Sequence, residues 1–134
     1  MTGWSAIVNS PNRPIGKSDI FKVPHHGSEN AHSDEVWETM VDKNALGILT
    51  SKIGGRSNIP KPSDIKRLKK YLPHLFCTSE PVTKKQKRDR TVEKTINSTV
   101  KNRVPLNGEI GQIQLRIDIN SGIAVRLKGP AKKL

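Results

Sequence analysis

The chain has 134 residues, with 24 Lys and Arg against 12 Asp and Glu, giving a formal net charge of +12. That length suits one domain, but hydrophobic residues at 33% and aromatics at 4% predict a modest core, or one that relies on a partner for burial. No apolar run is long enough for a transmembrane helix. Residues 1–8 lack the basic start and apolar stretch of a secretory signal, and the single cysteine, Cys77, excludes a disulfide framework or a cysteine-rich zinc module, so a cytoplasmic setting is expected.

In chain order, Trp4–Val8 reads as one turn of helix or the tail of one begun elsewhere, followed by the breakers Pro11, Asn12, Pro14 and Gly16. SDIFKV, residues 18–23, reads as a strand ending at Pro24, and HHGSENAH as a polar loop. Ser33 is a candidate N-cap, with Asp34 and Glu35 suiting the positive helix start. Val36, Trp37, Met40 and Val41 at helical spacing then predict a helix over 34–42. ALGILT is a second strand, and SKIGGRSNIPKP a loop in which Gly54–Gly55 makes a turn. Gly54–Gly55 is not a phosphate loop, because no GxxxxGK[ST] accompanies it. Ser63 caps a helix with Ile65, Leu68 and Leu72 on one face and lysines on the other, stopped by Pro73. LFCTS is a third strand. Strand–helix–strand–helix–strand over residues 18–79 is the pattern of a layered α/β arrangement with parallel pairing.

Residues 80–108 are polar and basic, a loop or insertion with a loose helix over 91–101. Ile113, Leu115, Ile117 and Ile119 then alternate with Gln112, Gln114, Arg116 and Asp118. Asn120-Ser121-Gly122 turns the chain and IAVRL returns, a C-terminal β-hairpin. The tail KGPAKKL is expected to fray. Cys77 and Trp37 read as core, His74 as a surface residue. The cations gather at Lys66, Arg67, Lys69 and Lys70, and at Lys84, Lys85, Lys87, Arg88 and Arg90. Such clusters serve equally as a solvated basic surface or as a nucleic-acid site, and no aromatics interleave with them as in a single-strand stacking platform.

Most of the chemical specificity sits in FKVPHHGS, residues 21–28. A strand end fixes the backbone, a glycine permits a tight turn, and imidazole is the commonest nitrogen ligand for a metal. Adjacent histidines on extended backbone point in opposite directions, so one would be a ligand and the other would face substrate or a neighbouring acceptor. On spacing alone the pair reads either as a site or as a chance pairing in a loop.

FKVPHHGSENAHSDEVW resembles the late segment of the metallo-β-lactamase fold superfamily. It is closest to the branch holding the hydrolase domain of competence-type DNA-uptake proteins, where a strand ends in VPHHGS or VGHHGS. The helix at 34–42, the ALGILTS strand, the lysine-rich helix and the LFCTS strand follow in the family's order. The resemblance covers residues 1–79 and the final hairpin. It implies a two-metal hydrolase, usually zinc, at the edge of an αββα sandwich. His26 aligns with the late metal ligand, and His25 would contact substrate or the ligand shell as a catalytic residue. Ser28 and His32 would line the site without being ligands.

The family's His-x-His-x-Asp-His cluster and its Gly-Asp are absent here, and Asp19 and Asp34 are poor substitutes. One histidine cannot hold a dinuclear centre. The expectation is therefore a single partial domain over 1–134: α/β, half of a metallo-β-lactamase-like αββα sandwich, with a mixed sheet, helices on one face and a C-terminal hairpin. It would be the C-terminal portion of a zinc hydrolase, inactive without an N-terminal half. The alternatives are a basic module that binds nucleic acid, or an interaction protein that docks or self-associates through an open sheet face.

Overall fold

A computed structural model describes residues 3–52, 58–79, 89–101 and 110–134. The Gly54–Gly55 turn and the basic stretches 80–88 and 102–109 lie outside the described residues. The first helix, α1, is Trp4–Val8, and β1 spans Ser18–Lys22. A tight turn over Pro24–Gly27 leads to α2, Asp34–Thr39, and to β2, Val41–Leu49. Helix α3 (Pro62–Leu68) and strand β3 (His74–Cys77) follow, then α4 (Arg90–Thr99), the hairpin strands β4 (Gln112–Asp118) and β5 (Gly122–Lys128), and β6, Lys132–Lys133. The strand order of the main sheet is β1-β2-β3-β6, with β1, β2 and β3 mutually parallel and β6 antiparallel. The chain is thus α/β with a mixed sheet, helices and a C-terminal antiparallel hairpin, as its alternation predicts. No helix among the described residues is long and apolar enough to cross a membrane.

The core follows from the apolar spacing. Val36 and Trp37 of α2, Leu68 of α3, Leu72 just beyond it, and Val41, Ala45, Leu49, Leu75 and Cys77 of the strands form one buried cluster. Burial pushes the Cys77 thiol above its ordinary value, so it behaves as a small apolar side chain. His74 is exposed. Phe21 bridges Trp4 and Trp37 with ring centroids 6.2 and 5.0 Å apart, carrying α1 onto the edge of the core.

Three expectations are corrected. Helix α2 ends at Thr39 rather than 42, because the chain re-enters the sheet at once: Ser18 N–H donates to Met40 O at 2.8 Å, and Val41 pairs with Ser18. An irregularity in the register between Ser18 and Ile20 absorbs the residues between Val41 and Leu46, where Asn44 N–H folds back onto Asp42 Oδ1. Helix α3 is capped from Lys61, not Ser63. Pro62 occupies its first turn, where a missing N–H costs nothing, and Asp64 accepts from Lys61 N–H at 2.9 Å. The tail does not fray, because β6 pairs with β3, Ala131 is buried, and Leu134 N–H donates to Leu75 O at 2.8 Å. The hairpin stands as expected, as a two-stranded sheet of its own. Ser33 does take the N-cap position of α2, without a capping hydrogen bond from its side chain.

Both sides of β3 are closed, since Leu75, Phe76 and Cys77 are all buried. The hairpin exposes apolar side chains at Ile117 (70% exposed) and Leu127 (37%), which share one face with Ile113, Leu115, Ile123 and Val125.

Gly47 is where the sheet and the helix-to-strand segment approach most closely. A β-carbon there would lie 2.7 Å from Leu72 Cδ1, 2.8 Å from Leu75 Cδ1 and 3.2 Å from Leu72 Cβ. Both leucines are fully buried and have no room to turn away. Gly47→Ala is expected to lower stability by about 1–3 kcal/mol through overpacking, measured by urea denaturation. An unchanged midpoint would show that the two leucines repack freely.

Candidate functional site

The three parallel strands bring their carboxyl ends to one edge of the sheet, the edge where open α/β sheets place their ligands. The His25–His26 turn follows β1, Thr50 and Ser51 follow β2, and Thr78 and Ser79 follow β3. Ser51 and Ser79 hydrogen-bond to each other through their hydroxyls, and Thr78 N–H donates to Leu49 O at 3.1 Å. Sequence reasoning passed over these residues. A signal was present: both apolar strands, GILTS and LFCTS, end in Thr-Ser.

The turn itself has unusual backbone. His25 (φ 46°, ψ 39°) and His26 (φ 56°, ψ 22°) both lie in the left-handed region, and Gly27 follows with φ 82°. Left-handed backbone costs a side-chain-bearing residue roughly 1–2 kcal/mol and persists only where its surroundings hold it. Here, Val23 N–H donates to Ile48 O at 2.8 Å, fixing the entry from β1, and Ser28 N–H donates to His25 O at 3.1 Å, closing the turn. Gly27 presses against α3 so closely that a β-carbon would meet Leu68 Cδ1 at 2.9 Å. The histidines are therefore not on the extended backbone assumed from sequence.

His26 is half-buried and His25 exposed. His26 Nδ1 lies 2.9 Å from the Thr50 carbonyl oxygen and 3.2 Å from the Thr50 hydroxyl. A carbonyl only accepts, so this network assigns the ring proton to Nδ1. Nε2 keeps its lone pair, the arrangement by which a backbone carbonyl orients a ligand histidine. Ser28 hydrogen-bonds to Asn30 and turns within its own loop.

His32 belongs to a different cluster. Its Nδ1 is reached by Trp37 Nε1–H at 3.0 Å and by Arg67 Nη1 at 2.8 Å. Both groups only donate, so Nδ1 is the lone-pair nitrogen and Nε2–H donates to Asp34 Oδ1 at 3.0 Å. Tyr71 Oη also donates to Asp34 Oδ1, at 2.9 Å, while its ring stacks on Trp37 with centroids 5.0 Å apart. The hydrogen bond from Tyr71, followed by that from His32, holds the Asp34 carboxyl below the usual carboxylate range; the same Asp34 contact pushes the Tyr71 phenol up. Asp34 is thus committed to this cluster, and Asp19 lies in β1, exposed.

The fit to a metal is partial. Among the described residues, no three His, Cys, Asp or Glu side chains gather as a metal site. A catalytic zinc takes three protein ligands, so these residues alone do not fit one. They supply a single oriented imidazole nitrogen. A small hollow lies beside the turn, lined in part by Gly27, Ser28, His32, Trp37 and Arg67. Comparisons with known protein families, curated proteins and solved structures find no match to this chain.

Tyr71→Phe removes the principal donor to Asp34. The Asp34 carboxyl is then expected to titrate at higher pH, nearer the ordinary value of about 3.9, read from its carboxyl-carbon chemical shift. The sign carries into stability. A depressed carboxylate stabilises the fold above the unfolded-state range, and that contribution is lost as pH falls through the folded value. An unmoved titration would mean that Tyr71 does not hold Asp34 in solution.

Proposed function

We propose that the chain carries one corner of a zinc-dependent hydrolase site, as the C-terminal half of a metallo-β-lactamase-like fold working in the cytoplasm. His26 Nε2 is the ligand and His25 the residue that meets substrate. The remaining ligands come from polypeptide beyond these residues. One observation carries this reading: a histidine in left-handed backbone at the carboxyl edge of parallel strands, its Nδ1–H committed to the Thr50 carbonyl and its Nε2 free of partners among the described residues. Strain of this kind gathers where function needs a side chain aimed. The exposed His25 beside it, on the same strained turn, suits contact with a substrate.

Titration with Zn²⁺ or Co²⁺, followed by ring-nitrogen NMR, tests the assignment. Weak binding at His26 Nε2 is expected, abolished by His26→Ala and largely kept by His25→Ala, with no ester, phosphodiester or amide hydrolysis by the 134 residues alone. Tight stoichiometric zinc unaffected by His26→Ala would overturn the ligand assignment. Metal-dependent turnover by the chain alone would overturn the incomplete site.

A second reading, a nucleic-acid-binding module, draws support from the hairpin. In its register Gln112 faces Lys128, Gln114 faces Arg126 and Arg116 faces Ala124, all on one side. Asp118, at the tip, is occupied by the N–H groups of Asn120 and Ser121. Binding through this face would weaken steeply with salt as counterions are released, and would fall in an Arg116→Ala, Arg126→Ala variant. Salt-insensitive or unchanged binding would exclude it. The apolar side of the same hairpin is the surface through which the chain would self-associate, and sedimentation at several concentrations reads that directly.

A further inference from the structure

One guanidinium ties down the loop from Pro24 to His32 at two points. Arg67 Nη2 donates to Gly27 O at 2.7 Å, and Nη1 donates to His32 Nδ1 at 2.8 Å. Asp64, one turn back on α3, holds the guanidinium in place through an ion pair at 3.1 Å. The loop that presents His25 and His26 is thereby fastened to α3, and the second fastening depends on a lone pair at His32 Nδ1.

The groups facing His32 come from every side of the cluster. Asp34 and Trp37 reach it from α2, Arg67 with its partner Asp64 from α3, and Tyr71 from the segment after α3. Asp34 is held ionised by two hydrogen bonds, Tyr71 is held protonated by Asp34, and a guanidinium stays charged at any ordinary pH. Asp64 accepts from both the Lys61 N–H and Arg67. In this cluster the imidazole is the side chain whose charge changes near neutral pH. Because Nε2 already carries hydrogen, the second proton must go to Nδ1. That places a new N–H against two donors, one of them a cation 2.8 Å away. Asp34 faces the ring only from the Nε2 side. It does not supply an acceptor at Nδ1, so Arg67 or the ring must swing away.

We propose that His32 and Arg67 form a proton-sensitive latch on the His25–Gly27 turn, closed while His32 is neutral and opened when it is protonated. The latch stands on these hydrogen bonds whether or not a metal binds His26. His26 contacts Thr50 and His25 is exposed; among the described residues neither hydrogen-bonds to Arg67.

The test is NMR on the full 134-residue chain. A long-range proton–nitrogen spectrum shows which ring nitrogen of His32 carries hydrogen. Amide exchange is followed at Ser28, Ala31 and His32, which donate within the loop at 3.1, 3.3 and 2.9 Å. Near pH 8, His32 is expected as the Nε2–H form with slow loop exchange. As the pH is lowered, Nδ1 gains its proton. Exchange at the three amides, corrected for its chemical pH dependence and referenced to β2, then rises roughly ten- to a hundredfold, as expected for losing a charge-assisted hydrogen bond. His32→Asn keeps an acceptor facing Arg67 but cannot titrate, and should abolish the pH response. Arg67→Lys keeps the charge without the two-point grip, and should leave the loop fast at both pH values. The latch is overturned if His32 is the Nδ1–H form at high pH, or if loop exchange in the folded wild type does not change. It is also overturned if the response survives in His32→Asn, which would assign it to His25 or His26. Should His32→Asn fail to fold, the wild-type tautomer and the Arg67→Lys profile decide the matter alone.

Discussion

Two consecutive histidines in left-handed backbone cannot hold that shape unaided, and the region around them is organised to hold it. Pro24 and the buried Val23 fix the entry from β1, and the Thr50 carbonyl takes the His26 ring proton. Gly27 packs on Leu68 while offering its carbonyl to Arg67. These restraints come from β1, the end of β2 and α3, elements far apart in sequence. The strained turn is therefore a property of the assembled sheet and helix. Local chain preference alone would release it.

That arrangement gives the two halves of the loop different chemistry. At His26 the network engages one nitrogen and leaves the other without a partner among the described residues. At His32 both nitrogens are engaged, one as donor and one as acceptor, with aromatic rings on two sides and a guanidinium at the acceptor edge. A ring so engaged is a fastening rather than a ligand. Arg67 connects the two halves, because the same side chain supports the turn at Gly27 and closes the cluster at His32.

The surface charge is a separate matter. Among the described residues, the side chains and carbonyls that hydrogen-bond to the His25–Gly27 turn are those of Thr50 on one side and the paired Arg67 on the other. The hairpin divides its two faces, aliphatic on one and polar or cationic on the other. A two-stranded ribbon is marginal by itself. It is anchored where Gly111 N–H donates to Thr78 O, at a site so tight that a β-carbon on Gly111 would meet the Ala131 backbone.

The alternation of apolar residues determined the parallel strands, the two helices between them and the hairpin, because burial of one face dictates spacing in a way that a sequence displays directly. Trp37 and Cys77 were legible as core for the same reason, whereas the backbone of the histidine turn was not. Tertiary structure decided what spacing does not encode. It ended α2 early, because a hydrogen bond from Ser18 drew Met40 and Val41 into the sheet. It seated the lysine tail as β6, because the edge of β3 offered unpaired backbone groups. It moved His32 from the edge of a presumed site into a network with Asp34, Trp37, Arg67 and Tyr71, since partners 35 and 39 residues away meet only after α3 docks. The ring nitrogen that carries hydrogen in His26 and in His32 was settled in the same way, by acceptors and donors that folding brings to the ring.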